Sequence, residues 1–372
     1  AAIKWMQSKG FFNEKKFGIS PKAIFFSNTR EEKVEKISDL QLDAFVDDLE
    51  EVYCEPGFPD NIKKILFRNE TNETSKTNGY DMLCSNWTEI SRGLLGNPIL
   101  EDYRYWAQMI IDDEITGINE LQGRGNSKAH RIRTENGKTF ALKTYPDRLL
   151  DPRNRIEVEF NACRYLEHIE RTPKAISLDL DLNMAIYEWV DGCPIIQIEK
   201  KHIIEALSYT KFLWRNSQSL DSSSFPLASE ACLSGERLFF QIDNRYKKLK
   251  ESSKYFKHLE VFLESVFKPV WITALKWAEE HWPIENIKTT LPQKELTLSP
   301  SDFGFHNTLL RADGSLCFLD LEYFGFDDPV KLIIDFIWHP AMSLSGPQKK
   351  FWVEESINIF GKPPQIEARF LA

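Results

Sequence analysis

The stretch SDFGFHNTLLRADGSLCFLD, residues 301–320, restricts the fold more than any other part of the chain. Asp313-Gly314 separates two apolar runs and predicts a β-hairpin with a two-residue loop. In that register Asn307 stands directly opposite Asp320. Paired residues on antiparallel strands point to the same side, with Cβ atoms about 4.5–5.5 Å apart. An amide oxygen and a carboxylate thereby converge, and a small hard cation with oxygen ligands, such as Mg²⁺, fits between them. The expectation depends on register, because a one-residue slip turns one of the pair away.

At 372 residues the chain can hold two or three cores. A net charge of −9 offers no basic face to a nucleic acid. No apolar run approaches the roughly 18 residues of a membrane span, and no signal peptide opens the chain. The chain begins Ala-Ala-Ile, as a processed or truncated form would. Cys54, Cys84, Cys163, Cys193, Cys232 and Cys317 are scattered without a Cys-x-x-Cys pair and read as reduced thiols of a cytoplasmic protein. The Asn-x-Thr sequons at Asn69, Asn72 and Asn86 read as chance matches. Composition and turn signals predict three parts, 1–97, 98–190 and 191–372.

In the first part, KAIFF (22–26), DAFVDD (43–48) and KKILF (63–67) read as buried strands. TREEKVEKI (29–37) reads as a helix capped by Thr29, with Glu32 three residues on. This alternation predicts a small α/β module with a parallel sheet. Asp47-Asp48 falls at a strand end, where parallel sheets bind ligands. The segment resembles part of a haloacid dehalogenase-like phosphatase domain, with Ser27 or Thr29 after one strand, Lys33 or Lys36 on the helix, then FVDDL. That family's nucleophilic Asp-x-Asp lies in an earlier strand, and no such strand precedes residue 22. The resemblance therefore implies a structural or vestigial module, with a phosphatase as the alternative.

From about residue 103 a helix (102–112) leads into strands joined by the turn Asn136-Gly137. In TFALKTY (139–145) strand alternation puts Ala141, Lys143 and Tyr145 on one face. The alanine would let a nucleotide base approach, and the lysine would reach its phosphates. Just upstream, Gly123 and Gly125 form a loop whose N–H groups can cradle phosphate oxygens. Asp151-Pro152 starts a helix. On it Glu159 borders the stripe of Ile156, Phe160, Cys163 and Leu166 and can pair with Lys143, with Glu157 as the alternative. MAIYEWVDG (184–192) reads as a strand running into a hinge, where backbone groups near Glu188 and Val190 would meet an adenine edge. Beyond it, helices are expected at 202–217, 236–266 and 270–283. Glu322, Asp327 and Asp328 read either as solvated surface or as a wall for a cationic acceptor, and His306 as a packing or hydrogen-bonding residue.

Asp302-Phe303-Gly304 spells the metal-binding triplet of protein kinases, whereas Asp302 with Asn307 has the spacing of their catalytic loop. The triplet would need a catalytic Asp upstream, and AEEHWPIENI (278–287) has none. Read forward, Asn307 and Asp320 supply the missing parts. In this order and spacing, residues 118–365 resemble the aminoglycoside phosphotransferase and choline kinase group of small-molecule kinases. The resemblance implies an α+β protein-kinase-like two-lobed domain with a small β-rich lobe and a large helical lobe. It implies ATP and Mg²⁺ as cofactors and a small hydroxyl-bearing acceptor such as a sugar, amino sugar or amino alcohol. By the same resemblance Asp302 orients or deprotonates the acceptor, Asn307 and Asp320 hold magnesium, and Lys143 binds phosphates with Glu159 paired to it. Asp335 would brace the catalytic loop. The chain departs from the family at Pro300-Ser301, where the family has His-Gly, and in its short glycine loop. The alternative is a catalytically inactive nucleotide-binding regulatory module.

Overall fold

The computed structural model describes residues 2–13, 17–68, 79–96, 99–121, 127–146, 151–282, 287–361 and 369–370. The chain forms two compact units, Ala1–Tyr103 and Arg104–Ala372.

In the first unit, α1 (Ala2–Ser8) is followed by α2 (Arg30–Leu40). Thr29 caps α2. Its Oγ1 accepts the Glu32 N–H at 3.2 Å, and the Glu32 carboxylate accepts the Asn28 N–H at 2.7 Å. Both bonds satisfy donors that a helix start leaves open. There follow β1 (Ala44–Asp47), α3 (Glu50–Tyr53), β2 (Lys63–Phe67), β3 (Met82–Cys84) and α4 (Trp87–Leu95). The three strands form a parallel sheet in the order β1-β2-β3. Val34 and Ile37 of α2 pack with Val52, Tyr53, Phe58, Ile62 and Leu66. No strand forms at 22–26. Pro21–Ala23 is a 3-10 turn capped by Ser20, and Phe25 and Phe26 stay exposed, so this apolar run has no sheet to join. The third strand is instead β3, whose three residues are too few to show a period. Asp47 is buried, takes the Lys33 ammonium and accepts the Leu49 N–H at 3.0 Å.

The second unit takes in the later part of α5 (Leu100–Ile111), where Trp106 is buried and donates to Asp179 Oδ2 at 3.1 Å. It continues with β4 (Ile115–Glu120), β5 (Lys128–Thr134), β6 (Thr139–Thr144), α6 (Arg155–Leu166), β7 (Ala175–Asp179) and β8 (Met184–Glu188). These strands make one antiparallel sheet in the order β4-β5-β6-β8-β7. The β5–β6 hairpin closes through Thr134 N–H to Lys138 O at 3.0 Å, leaving a three-residue loop that ends in Gly137 at φ +77°. Glycine takes that left-handed position without the strain a Cβ would bring.

The rest is mainly helical: β9 (Cys193–Pro194), α7 (Lys200–Ser217), α8 (Gly235–Ser253), α9 (Lys257–Phe262), α10 (Lys268–His281), β10 (Thr297–Ser299), β11 (Thr308–Leu310), β12 (Leu316–Phe318), β13 (Gly325–Asp327), α11 (Pro329–Trp338) and α12 (Gly346–Phe360). The single helix expected over 236–266 is divided. Helix α8 ends at Ser253, and a π-helical turn, Leu263–Phe267, joins α9 to α10 beside Pro269. One core runs from the sheet into the helices, from Ile156, Phe160 and Tyr187 to Tyr209, Phe318 and Trp352. Its rings stack closely: Tyr209 on Phe318 at 4.3 Å and Phe336 on Trp352 at 3.8 Å. No described helix is long and apolar enough to cross a membrane.

Candidate active site

Two phenylalanines fix the loop that carries Asp302. Phe303 is 4% exposed, with its ring 5.3 Å from both Phe318 and Phe336 and 5.8 Å from Tyr209. Phe305 packs on Phe336 at 5.4 Å. Between them Gly304 leaves no room for a side chain, since a Cβ there would stand 2.7 Å from His306 Nδ1. Upstream, Ser301 sits at φ +67° with the Asp302 N–H bonded back to Pro300 O at 2.9 Å. A turn this tight at positive φ is strained for any residue with a Cβ, and strain of this kind gathers at functional sites. Pro300-Ser301 therefore forms a turn with a left-handed second residue, a place glycine fills without penalty.

Asp302 is bonded through both oxygens. Its Oδ1 lies 3.1 Å from His306 Nε2 and 3.2 Å from His339 Nε2, and its Oδ2 accepts from Asn307 Nδ2 at 3.1 Å. The His306 hydrogen bond, ahead of the charge of both imidazoles, holds this carboxyl below its usual range despite burial. The two rings stack at 3.9 Å with planes 3° apart. Asp302, His306 and His339 have the donor types of a transition-metal site. An imidazole binds a metal within its ring plane, however, and two stacked parallel rings share no in-plane point. Asp302 is hydrogen-bonded to His306 and to Asn307, and the His339 ring stands beside them.

Lys143 of β6 gathers the second set of residues. Its Nζ lies 2.6 Å from Glu159 Oε2, 2.6 Å from Asp320 Oδ1 and 3.5 Å from Glu322 Oε2. The helix partner is thus Glu159, while Glu157 accepts from Asn154 at the start of α6. Glu159 also accepts the Tyr145 hydroxyl at 2.8 Å, which meets Tyr187 Oη at 2.7 Å. Burial opposes the charge on Lys143, but Glu159, Asp320 and Glu322 outweigh it and hold the ammonium above its ordinary value. Burial pushes the Glu159 carboxyl up, and Lys143 offsets part of that rise. Glu322 is further bound by Arg155 and by Ser127 Oγ at 2.6 Å. Of the three carboxylates, Asp320 alone keeps a substantially open side chain, 39% exposed.

The hairpin bearing Asn307 and Asp320 closes one residue away from the expected register. Thr308 pairs with Phe318, Leu309 with Cys317 and Leu310 with Leu316. Asn307 therefore faces Leu319, whose N–H donates to Asn307 O at 2.8 Å, and not Asp320. The loop holds three residues, Ala312-Asp313-Gly314, with Gly314 at φ +85° and Asp313 Oδ1 accepting the Ser315 N–H at 2.9 Å. Asp320 reaches the site by a different route. It leaves the strand at φ +62°, a left-handed conformation that Asp tolerates better than most residues, with its carboxylate on Lys143.

Gly123 and Gly125 lie outside the described residues. Val190 is buried beyond the end of β8, but the Glu188 N–H is bonded to Lys174 O at 2.8 Å, so that donor is not open to a nucleotide edge. The Asp335 carboxylate pairs with Lys331 one turn away on α11. The residue that reaches the loop from the end of α11 is His339, which the sequence reading missed. Its only signal was its place four residues beyond Asp335.

The acidic run is neither solvated surface nor a cationic-acceptor wall. Glu322 pairs with Arg155, Asp327 with Lys331 at 3.4 Å, and Asp328 with Arg369. Burial pushes the Asp327 carboxyl up to about 6, with Lys331 opposing. A folded pKa above the ordinary 3.8 means that this group's contribution to stability is lost as pH rises from about 4 to about 6. Asp327→Asn is therefore expected to gain about 3 kcal/mol relative to the parent protein between pH 4 and pH 7 in urea unfolding. An equal difference at both pH values would contradict it.

No family model and no curated protein matches this chain. Solved structures similar to it include a spectinomycin phosphotransferase in complex with ADP and spectinomycin, at 12% identity and a TM-score of 0.48 over 71% of this chain and 80% of that one. A choline kinase from Streptococcus pneumoniae shows 13% identity and a TM-score of 0.44 over 76% and 83%. A Plasmodium vivax ethanolamine kinase shows 11% identity and 0.45 over 76% and 82%.

Proposed function

We propose that the second unit is an ATP- and Mg²⁺-dependent phosphotransferase that moves the γ-phosphoryl group to a hydroxyl of a small polar acceptor, a sugar, amino sugar or amino alcohol. The observation that carries this is Lys143, a strand lysine with 14% of its side chain exposed, joined at 2.6 Å both to Glu159 and to Asp320. These residues come from a sheet, a helix and the segment after β12, and in the same unit Asp302 and Asn307 are bonded to each other. Lys143 would hold phosphate charge in a site screened from water. Residues 98–190 would form the nucleotide-facing lobe, with Val190 and the Glu188 carbonyl near the base. Residues 191–372 would form the acceptor-facing lobe.

Asn307 donates through its Nδ2 to Asp302, which turns its amide oxygen to other use, and Asp320 has the open carboxylate. Two hard oxygen donors fit Mg²⁺. Bound there, the ion would supply charge neutralisation on the phosphate oxygens. Asp302 orients the acceptor hydroxyl. As that oxygen bonds to the γ-phosphorus and the bond to the leaving diphosphate breaks, the hydroxyl proton passes to Asp302. A carboxyl held low in pKa is a weak base, so orientation is its larger contribution and the proton moves late. The first unit stands outside this assignment, since Asp47 is committed to Lys33.

Calorimetric titration with ATP, with and without Mg²⁺, followed by an acceptor screen tests the proposal. Binding should depend on Mg²⁺, and Asp320→Ala should remove that dependence. Metal-dependent binding that survives Asp320→Ala would refute the metal assignment.

A further inference from the structure

The chain that follows Asp302 folds straight back onto it. His306 and Asn307 end a short 3-10 turn, Phe305–Asn307, and each bonds a different oxygen of the carboxylate. His306 Nε2 lies 3.1 Å from Oδ1, and Asn307 Nδ2 lies 3.1 Å from Oδ2. An ionised carboxylate can only accept, so the proton of the first bond belongs to His306 Nε2. The other ring nitrogen, Nδ1, is buried without a hydrogen-bond partner among the described residues. A ring whose one proton is on Nε2 leaves no N–H stranded in that dry position. The surroundings keep the ring where this bond needs it. One face stacks on His339, with centroids 3.9 Å apart and planes 3° from parallel. The Nδ1 edge lies against Gly304, where even a Cβ would come within 2.7 Å of it. Only 16% of the His306 side chain is exposed, against 33% of the Asp302 side chain, so the carboxylate is the more open of the two to an arriving molecule.

We infer that His306 is a positioning residue for Asp302, its Nε2–H fixing the plane of the carboxylate that meets the acceptor hydroxyl. The role rests on the phosphotransferase assignment above, but the contact itself does not. With a donor on each oxygen, turning the carboxylate breaks two hydrogen bonds at once. A carboxylate held in this way meets a hydroxyl with little reorganisation, the condition under which orientation accelerates transfer. His306 takes no proton in the reaction, since the nitrogen facing Asp302 already carries one and the other lies against Gly304.

The test uses the full chain with ¹⁵N-labelled histidine at pH 8, above the ordinary imidazole range. The His306 signals, identified by their loss in His306→Gln, should be those of the Nε2–H tautomer and should move in Asp302→Ala. The Nδ1–H tautomer, or signals indifferent to Asp302→Ala, would overturn the inference. Three variants then separate hydrogen bonding from packing. His306→Phe keeps a ring against His339 and removes the N–H, while His306→Gln returns an N–H near the Nε2 position. Gly304→Ala alters no group of the reaction and pushes on the ring. With MgATP and water as acceptor, His306→Phe and Gly304→Ala should each lower kcat about tenfold with ATP affinity unchanged, and His306→Gln should recover most of the loss. Equal losses in His306→Phe and His306→Gln, or a loss confined to ATP binding, would make the residue structural only. If the unaltered protein fails to bind MgATP, the phosphotransferase assignment falls while the tautomer still decides the contact.

Discussion

Asp302→Asn lowers phosphoryl transfer by about 10²–10⁴-fold and leaves Mg²⁺-dependent ATP affinity within about twofold of the parent protein. This outcome is expected because the amide keeps the size of the side chain and can turn its oxygen to the imidazole pair at His306 and His339. It removes the charge proposed to meet the acceptor. Asn307 loses its bond to Asp302 Oδ2 but keeps the one to the backbone oxygen of Asp302 at 3.2 Å, so its own amide stays in place. Measuring kcat and nucleotide Kd on the same variant makes the result decisive. Transfer that persists would remove Asp302 from the reaction. Affinity for MgATP that collapses would make Asp302 a metal ligand, as in the triplet reading of residues 302–304.

Lys143→Met should be the most damaging single change to the fold itself. It leaves Glu159, 5% exposed, with only the Tyr145 hydroxyl in place of an ammonium. Breaking one side of a buried pair costs about 3–5 kcal/mol, and loss of measurable MgATP binding should accompany it. Burial already raises the Glu159 carboxyl, and without Lys143 its charge no longer opposes that rise. The defect should therefore grow as pH increases from 5 to 8, since an acid with a raised folded pKa loses stability as it is forced to ionise. Lys143→Met/Glu159→Gln should be more stable at pH 8 than Lys143→Met alone, because the stranded charge is gone. If urea unfolding instead showed the double variant to be the weaker, the pair would not be the source of the effect.

What the sequence disclosed was local in origin. Strand alternation put Lys143 on a face with Ala141, and a helix stripe put Glu159 beside it, and the two side chains meet. The Asp302–Asn307 contact was likewise legible in spacing. The register of 307–320 was not, since Asx-Gly can close a hairpin with two or three residues, and the choice lies in backbone geometry. Both hairpins chose three, with Gly137 and Gly314 in the left-handed position. Asp320 entered the site through its own backbone twist, which no pattern of side chains records. His339 was invisible for a related reason, because the end of α11 sets where the residue after Trp338 points. The break between α8 and α9 and the missing strand at 22–26 are tertiary outcomes. At 22–26 an apolar run has no sheet to join, and between α8 and α9 the chain runs through the polar stretch 250–254.

The anchoring of Phe303 and Phe305 in the aromatic core bears on how such a protein could change its preference over time. Moving Asp302 to suit a different hydroxyl would mean recutting the packing of Tyr209, Phe318, Phe336 and Trp352, and each such cut costs several kcal/mol. The stretch from α8 to α10 is under no such restraint. Helix α8 buries Gly235 and Ser253, α10 buries Ala278, and Phe240, Tyr255, Phe262 and Trp277 lie exposed among them. Substitutions at those exposed positions cost little, whereas Leu263 and the Tyr246–Phe267 stack are packed. The chain thus sets a carboxylate anchored in its core apart from exposed positions that mutation can change at little cost.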